Sequence, residues 1–319
     1  MQVQKEVEIA PLLWYKLGGK VKFLLTCKSK EDILEALEFI VQNNVNNVFT
    51  IGEGSNLIFA KNYFDGAIIQ IVGTGKSFEL KEEVVSSFAG ETLDNLVKFC
   101  FGNNLIGLEW AGGLPGTVGA GVRGNVGAFG GEIKDTFKYA KVARFKKGRI
   151  ETLKLENEDM NFSYRESKIK HDKNLFILEA SFYLKKATDD ELQEAKVIYE
   201  KNINYRKEKH PIEYPNCGSI FKNIVKKDQT EKVFEVWPDV KEKAISQWYG
   251  KVSMGYIINR LGFTGNKVGG AQISEKHSNF IVNTGDATGA DVLTLISEIK
   301  EAMQKKFGIT PEVEPEIII

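Results

Sequence analysis

The stretch AGGLPGTVGAGVRGNVGAFGG, residues 111–131, indicates the fold of this chain more strongly than any other, because nine of its positions are glycine. Such a density disfavours the interior of a regular helix or strand. Glycines without a Cβ also let backbone N–H groups converge on an anion at close range. The stretch therefore predicts a loop that either makes tight turns or holds a phosphate-bearing ligand, and the number of glycines favours the ligand.

A second glycine loop, GEGSNL at residues 52–57, follows a predicted β-α-β unit. Residues 21–26 and 47–51 have the composition of strands, and Ser29, with Asp32 three residues later, predicts the start of a helix between them. The loop has no Gly-Lys-Ser/Thr and opens no helix, so it is not a Walker A loop. On their own, its two glycines are more typical of a turn between strands.

A formal G-x-G-x-x-G pattern occurs at Gly119–Gly124. A proline-containing loop precedes it instead of a strand, and no acidic residue follows at the distance that binds a ribose. The pattern therefore does not predict a Rossmann dinucleotide site.

The remaining chain predicts further strands and helices in alternation. Strands are expected at 67–72, 83–90 and 175–184, a hairpin around Lys147–Gly148, a helix through Leu93 and Cys100, and a charged linking helix at 186–210. Residues 224–251 are charged and are predicted to form an irregular surface segment. Thr288 and Asp291 are expected to cap a last helix that stops at Gly308.

Bulk composition excludes several classes of protein. Hydrophobic residues make up 42% and charged residues 27% of the chain, which is typical of folded globular proteins. The length of 319 residues predicts more than one domain. Forty-three basic and 43 acidic side chains give a net charge of zero, so neither nucleic acid nor an anionic membrane is predicted as a partner. The N-terminus resembles no signal peptide, and the three cysteines are too scattered for a disulfide framework or a metal site. A folded cytoplasmic protein without a metal site is the expectation.

Five blocks in order carry a resemblance to a known family. They are IGEGSNLIF, GLEWAGGLPGTVGAGVRGNVGAFGGEI, FSYRES, YPNCGSIFKN and VGGAQISEKHSNFIVN. Together they closely resemble UDP-N-acetylenolpyruvoylglucosamine reductase, also called UDP-N-acetylmuramate dehydrogenase, from about residue 15 to the C-terminus. No family-type tyrosine loop follows Tyr164, so the chain resembles the loop-lacking subtype.

The resemblance implies an α+β fold with an FAD-binding domain of the vanillyl-alcohol oxidase (PCMH) type and a C-terminal α+β substrate-binding domain. The two α+β subdomains of the FAD domain are expected at 1–66 and 67–188, and the substrate domain at 189–319. FAD is implied as cofactor and NADPH as co-substrate, with no required protein partner. The residues implied to bind FAD are Gly52, Glu53, Gly54, Ser55, Asn56, Leu57, Pro115, Gly116, Thr117, Gly119, Asn125, Gly127 and Ala128.

The implied reaction adds a hydride to an enolpyruvyl ether and leaves carbanion character beside a carboxylate. A cation must meet that carboxylate, and arginine binds two oxygens at once; Arg165 matches the arginine of the family. A positioned acid must then protonate carbon, a role that the resemblance gives to Ser219. Because a carbanion is strongly basic, this serine needs no histidine base. The implied substrate contacts are Tyr164, Lys209, Asn223 and His277, the last equally typical of a core histidine.

The family also has a glutamate in a C-terminal Leu-x-Pro-Glu-Val motif, and two positions in the tail could match it. Glu316 follows Pro315 within an apolar-x-Pro-Glu-apolar pattern, whereas Glu312 belongs to an earlier Pro-Glu-Val. Glu316 is preferred because Pro315 would interrupt a strand that follows Glu312. Two alternative functions remain, another FAD oxidoreductase that acts on an alcohol or hydroxy acid, and a non-catalytic flavin-binding protein.

Overall fold

The computed structural model describes residues 1–146 and 148–319, and the elements below are numbered in chain order. The strands are Gln2–Glu8 (β1), Lys20–Cys27 (β2), Val48–Ile51 (β3), Leu57–Phe59 (β4), Tyr63–Ile71 (β5), Phe78–Lys81 (β6), Val84–Phe88 (β7), Leu105–Ile106 (β8), Gly127–Ala128 (β9), Gly131–Glu132 (β10), Phe137–Lys146 (β11), Arg149–Glu156 (β12), Leu175–Tyr183 (β13), Lys185–Lys186 (β14), Lys267–Val268 (β15), Ala271–Ile273 (β16), Ile281–Asn283 (β17) and Glu316–Ile318 (β18). The helices are Lys30–Gln42 (α1), Leu93–Gly102 (α2), Val118–Arg123 (α3), Lys168–His171 (α4), Asp189–Lys209 (α5), Lys227–Val236 (α6), Asp239–Gln247 (α7), Met254–Arg260 (α8) and Gly289–Phe307 (α9).

The described chain divides into two compact units, each built from several segments. The first unit contains Met1–Val7, Lys20–Glu53 and Tyr63–Arg206, and the second contains Glu8–Gly19, Gly54–Asn62 and Lys207–Ile319. The boundaries predicted at 66/67 and 188/189 both fall inside the first unit, the former within β5. The division into three parts stays a prediction.

The first unit joins two sheets through one apolar core. One sheet has the strand order β1-β2-β5-β3, with β2 and β3 parallel to β5, and the other is antiparallel with the order β12-β11-β13-β7-β6. Helix α1 contacts strands of both sheets. The Ser29 side chain accepts a hydrogen bond from Asp32 N–H at its start, as predicted, and Ile33 and Leu37 on its inner face are buried. The predicted β-α-β unit is confirmed.

The predicted hairpin is also present, formed by β11 and β12 in antiparallel register. Its turn was predicted around Lys147–Gly148, and Lys147 lies outside the described residues. Strand β13 pairs with β11 on one side and β7 on the other. It is buried along nearly its whole length. The buried Glu179 of this strand forms ion pairs with Lys30 and, at 2.9 Å, with Lys141. A buried carboxylate is tolerated at this position because it is paired twice.

The glycine stretch 111–131 was expected to contain no regular helix, and this expectation is wrong. Its centre forms the short helix α3, where the Thr117 side chain accepts from Ala120 N–H at 3.4 Å. A Cβ on Gly119 would lie 2.9 Å from the Cβ of Ala89, and one on Gly121 would lie 3.1 Å from Val126. Tertiary packing, which sequence propensity does not contain, therefore selects glycine within a helix.

The second unit packs helices around the short sheet β15-β16-β17 and the parallel pair β18–β4. Thr288 and Asp291 form the predicted capping box of α9, and Gly308 ends that helix in a left-handed conformation at φ +65°. The prediction of an irregular segment at 224–251 is wrong, because most of these residues form α6 and α7. Val233 and Val240 from these helices are fully buried in the core. The many charged residues of the two helices concealed their narrow apolar faces.

Candidate active site

Within the first unit, the start of the loop after β3 is hydrogen-bonded to the glycine stretch. Glu53 Oε2 accepts from Gly116 N–H at 2.8 Å, and Gly116, which follows Pro115, has a φ of +119°. A Cβ on Gly52 would lie 2.4 Å from Thr117 Oγ1. The close approach of the two segments explains why glycine is needed at position 52.

Within the second unit, the other half of the same loop contains three consecutive backbone donors. Gly54 has a φ of +68°, and the backbone N–H groups of Gly54, Ser55 and Asn56 have no acceptor among the described residues. Leu57 then begins β4 and is buried. Adjacent N–H groups without acceptors are what a diphosphate requires of a loop that has no lysine.

The end of the glycine stretch forms a tight hairpin. Gly127 and Ala128 of β9 pair with β10, and the turn between the strands uses Phe129 at φ +52° and Gly130 at φ +94°. A Cβ on Gly127 would lie 2.4 Å from the carbonyl oxygen of Gly131. The hairpin is therefore specified by glycine positions on both strands.

Arg165 lies in a strained tight turn of the first unit. Ser163 and Glu166 exchange backbone hydrogen bonds of 3.2 and 3.0 Å, and Arg165 between them has a φ of +60°, which is uncommon for a residue with a side chain. Its Nη2 donates to Gly127 O at 2.6 Å, its guanidinium lies over the Tyr164 ring, and its own carbonyl accepts from Lys170 Nζ at 2.9 Å. Strain of this kind is concentrated at functional sites.

Asn125, which was predicted to bind the cofactor, is fully buried and makes hydrogen bonds inside the first unit. Its Nδ2 donates to Ser163 O at 2.9 Å and to Glu132 Oε2 at 3.0 Å, and its Oδ1 accepts from Lys134 N–H at 3.0 Å. The side chain thus connects the glycine stretch with the turn that carries Arg165.

Ser219 is half-buried in a segment of the second unit that is held on both sides. Gly218 before it has a φ of +82° and donates to Asn216 Oδ1 at 3.0 Å. Ile220 N–H after it donates to Asn279 O at 2.7 Å and Ile220 O accepts from Glu314 N–H at 2.9 Å. The backbone around the serine is fixed by these bonds.

The two candidate tail carboxylates have different surroundings. Glu312 is exposed and bonded by Lys222 at 3.1 Å and Lys226 at 3.3 Å, and the hydrogen bond from Lys222 lowers the pKa of Glu312 below its ordinary value. Glu316 is half-buried and is the first residue of β18, directly after Pro315, with its N–H donating to Asn56 O at 3.1 Å. The strand therefore begins at Glu316, and the choice of this glutamate over Glu312 stays a prediction.

The predicted substrate contacts lie in different elements. Tyr164 has its ring beneath the Arg165 guanidinium, 4.9 Å from ring centroid to Cζ. In the second unit, Lys209 at the end of α5 forms an exposed ion pair with Glu208 at 2.6 Å, and Asn223 Oδ1 accepts from Met254 N–H at 3.1 Å. His277 accepts at Nδ1 from Asn279 N–H at 3.2 Å and packs edge-on against the rings of His210 and Phe280, and burial lowers its pKa. The substrate contact of His277 stays a prediction.

Comparison with known proteins identifies the family. The C-terminal domain of UDP-N-acetylenolpyruvoylglucosamine reductase matches residues 210–318, and an FAD binding domain matches residues 21–154. The reductase of Caldicellulosiruptor saccharolyticus is 33% identical over 98% of this chain and 91% of its own length. The chain belongs to the UDP-N-acetylenolpyruvoylglucosamine reductase family. The reductase of Latilactobacillus sakei is likewise 33% identical, over 100% of this chain and 94% of its own length.

A solved structure of the same family supports the fold. The reductase of Thermus caldophilus superimposes with a TM-score of 0.75 at 25% identity, and the match covers 100% of both chains. Membership in the UDP-N-acetylenolpyruvoylglucosamine reductase family makes the chain an oxidoreductase with FAD as its cofactor. The unpaired N–H groups of residues 54–56 fit the diphosphate of such a cofactor. The predicted α+β class, the enzyme class and the FAD cofactor are confirmed.

Glu91 is a residue that the sequence analysis missed. It is fully buried, and its carboxylate accepts from four consecutive backbone N–H groups, those of Thr74, Gly75, Lys76 and Ser77, at 2.8–3.3 Å. Its own carbonyl accepts from Val118 N–H at 2.7 Å, at the start of α3. The only signal in the sequence is an acidic residue directly before the helix-capping Thr92, which does not reveal a bond to a loop 14–17 residues earlier.

The three cysteines are unpaired and buried, as expected for reduced thiols. Burial raises the pKa of the Cys27 and Cys100 thiols to about 12, and also raises the pKa of Cys217 beside the Ser219 segment. A thiol that stays protonated is a poor nucleophile. Among residues 1–146 and 148–319, no helix has the length and apolar composition needed to cross a membrane.

Proposed function

We propose that the chain reduces UDP-N-acetylglucosamine enolpyruvate to UDP-N-acetylmuramate with NADPH, as a cytoplasmic enzyme of peptidoglycan precursor synthesis in the loop-lacking subtype. Family membership supports the reduction of this substrate class. The observation that carries the proposal is the strained Arg165 turn, where a residue with φ +60° is held by backbone and side-chain bonds. Non-glycine residues at positive φ are enriched at functional sites, and Arg165 is one that also carries the cation required by the reaction.

The chain's own residues meet the demands of the reaction in three ways. Arg165 binds the carboxylate of the enolpyruvyl group and offsets the charge that develops beside it, because a guanidinium stays protonated at all physiological pH values. Ser219 donates its hydroxyl proton to the carbanionic carbon. Glu316 stabilises or protonates the same intermediate. Bound FAD supplies the hydride, which it obtains from NADPH.

The cofactor and substrate contacts follow the predicted assignment except at Asn125, which is fully buried and uses both of its side-chain donors within the protein. The loops at 52–57 and 115–128 hold FAD, and Tyr164, Lys209, Asn223 and His277 contact the UDP-sugar. Lys209 supports a diphosphate as a point charge on a flexible stem, since its side chain is 52% exposed. No protein partner and no nucleic acid are required.

Steady NADPH consumption by the purified protein tests the proposal. We expect consumption that depends on the enolpyruvyl UDP-sugar, together with flavin absorbance from the protein. Turnover with an alcohol or hydroxy acid and none with the UDP-sugar would assign another oxidoreductase of this fold. Tight flavin binding without any turnover would assign a flavin-binding protein.

A further inference from the structure

Asn125 lies at the centre of a hydrogen-bond network within the first unit. Both donor hydrogens of its carboxamide are used, one on Ser163 O at 2.9 Å and one on Glu132 Oε2 at 3.0 Å, and its oxygen accepts from Lys134 N–H at 3.0 Å. The residue is fully buried and its φ is +40°, a region that asparagine tolerates better than most residues. A side chain committed in this way has no donor left for a ligand.

Two routes lead from Asn125 to Arg165, one through the hydrogen bond to Ser163 and one along the chain to Gly127. Ser163 is the first residue of the turn, and it exchanges backbone hydrogen bonds with Glu166 around Arg165. Gly127, two residues after Asn125, provides the carbonyl that accepts from Arg165 Nη2 at 2.6 Å. Asn125 therefore fixes both the turn that carries the arginine and the strand that orients its guanidinium.

The partner of the second donor is itself held in place. The Glu132 carboxylate forms an ion pair with Lys134 Nζ at 3.1 Å and is 17% exposed. Glu132 N–H donates to Asp135 Oδ2 at 2.8 Å in a reciprocal capping box. The network is thus anchored on one side by a rigid turn and acts on the Arg165 turn on the other.

We infer that Asn125 is a positioning residue for Arg165 and does not contact FAD. It sets the orientation of the guanidinium toward the substrate carboxylate, so its loss slows the step in which the flavin reduces the substrate and spares the step in which NADPH reduces the flavin. This inference rests on the proposed function.

Asn125→Asp tests it with almost no change of shape. The aspartate keeps an acceptor for Lys134 N–H but places an oxygen against Ser163 O and the Glu132 carboxylate, which repels both. We expect substrate-dependent oxidation of the flavin to slow by about 10–100-fold, the effect of a misplacement of ~1 Å. Flavin content and the rate of reduction by NADPH stay within about twofold of wild type, because a residue without contact to FAD is independent of both.

Asn47→Asp is the matched control. The exposed Asn47 side chain donates to Asp65 O at 3.0 Å in the same unit, and neither residue is a hydrogen-bond partner of Asn125. Both half-reactions should be unchanged in this variant. If Asn125→Asp fails to fold, Asn125→Gly replaces it, because glycine adopts φ +40° without strain.

A double-mutant cycle separates positioning from a general structural role. If Asn125 acts through Arg165, the substrate oxidises the flavin of the double variant Arg165→Ala/Asn125→Asp at the same rate as the flavin of the single variant Arg165→Ala. Independent losses that multiply, equal slowing of both half-reactions, or loss of flavin would overturn the inference. Failure of the proposed function is distinguishable, because the wild-type protein would then show no oxidation by the enolpyruvyl UDP-sugar at all.

Discussion

Ser219 is a single hydroxyl in a segment whose backbone is fixed by Asn279 and Glu314. Ser219→Ala therefore removes the proposed proton donor without rearranging the chain. We expect flavin reduction by NADPH to stay near wild type and oxidation by the substrate to slow by about 10²–10⁴-fold, the usual contribution of a positioned acid. Stopped-flow absorbance of the flavin measures both steps. Ser246→Ala, at an exposed helix position, is the control, and two unaffected half-reactions in Ser219→Ala would make Ser219 structural.

Glu316 and Glu312 provide a comparison within one tail. Glu316→Gln should slow oxidation of the flavin by about 10²-fold or more if its carboxyl assists protonation. Glu312→Gln should leave it within about twofold of wild type, because its carboxylate is engaged by Lys222 and Lys226 and its pKa is lowered by those bonds. Steady-state turnover of the two variants measures the difference, and the reverse order of effects would transfer the role to Glu312.

His277 gives a pH dependence whose sign follows from burial. Burial lowers its pKa below the ordinary 6.5, so the folded chain binds this proton less readily than the unfolded chain. The contribution of neutral His277 to the free energy of unfolding is therefore fully present above the pKa of the unfolded chain. It is lost as the pH falls through 6.5 toward the lower pKa of the folded chain. In wild type the free energy of unfolding should fall more steeply below pH 6.5 than in His277→Gln. Urea denaturation at values between about pH 5 and 8 measures the pH dependence of both proteins, and equal slopes would contradict this prediction.

At the scale of elements, α9 begins at a reciprocal capping box. Thr288→Ala removes the hydroxyl that accepts from Asp291 N–H at 3.2 Å. The loss should lower the free energy of unfolding by about 1 kcal/mol. Thr294→Ala is the control, because that exposed threonine bonds back to Ala290 O within the helix and caps nothing. Urea denaturation of both variants checks the prediction, and equal losses would show that the cap contributes nothing.

Elements with strong local signals were predictable from the sequence. Helices α1 and α9 were expected from their caps and apolar spacing, and the sheet strands from β-branched runs. Helix α3 and helices α6 and α7 were missed for different reasons. The glycines of α3 are explained only by close contact with Ala89 and Val126, and α6 and α7 bury few residues among many charges.

At the scale of the whole molecule, FAD should contribute to stability by mass action. At a free concentration about 100 times its Kd, a ligand that binds only the folded state adds about 2.7 kcal/mol. The melting temperature of the FAD-depleted protein should therefore rise when FAD is added. Riboflavin, which has the ring system without the diphosphate, is the control for the glycine loops. An equal shift with riboflavin would contradict a role for residues 52–57 in holding the diphosphate.

The sequence by itself determined the family, the α+β class, the FAD cofactor and the residues proposed for chemistry, because these depend on short motifs whose residue types the reaction requires. The tertiary structure alone decided that Asn125 bonds to the Arg165 turn, that Glu91 holds residues 74–77, and that Glu312 pairs with two lysines. Each of these contacts joins residues 14–90 positions apart. Local spacing carries no information about such partners, since only the folded backbone brings them within hydrogen-bonding distance.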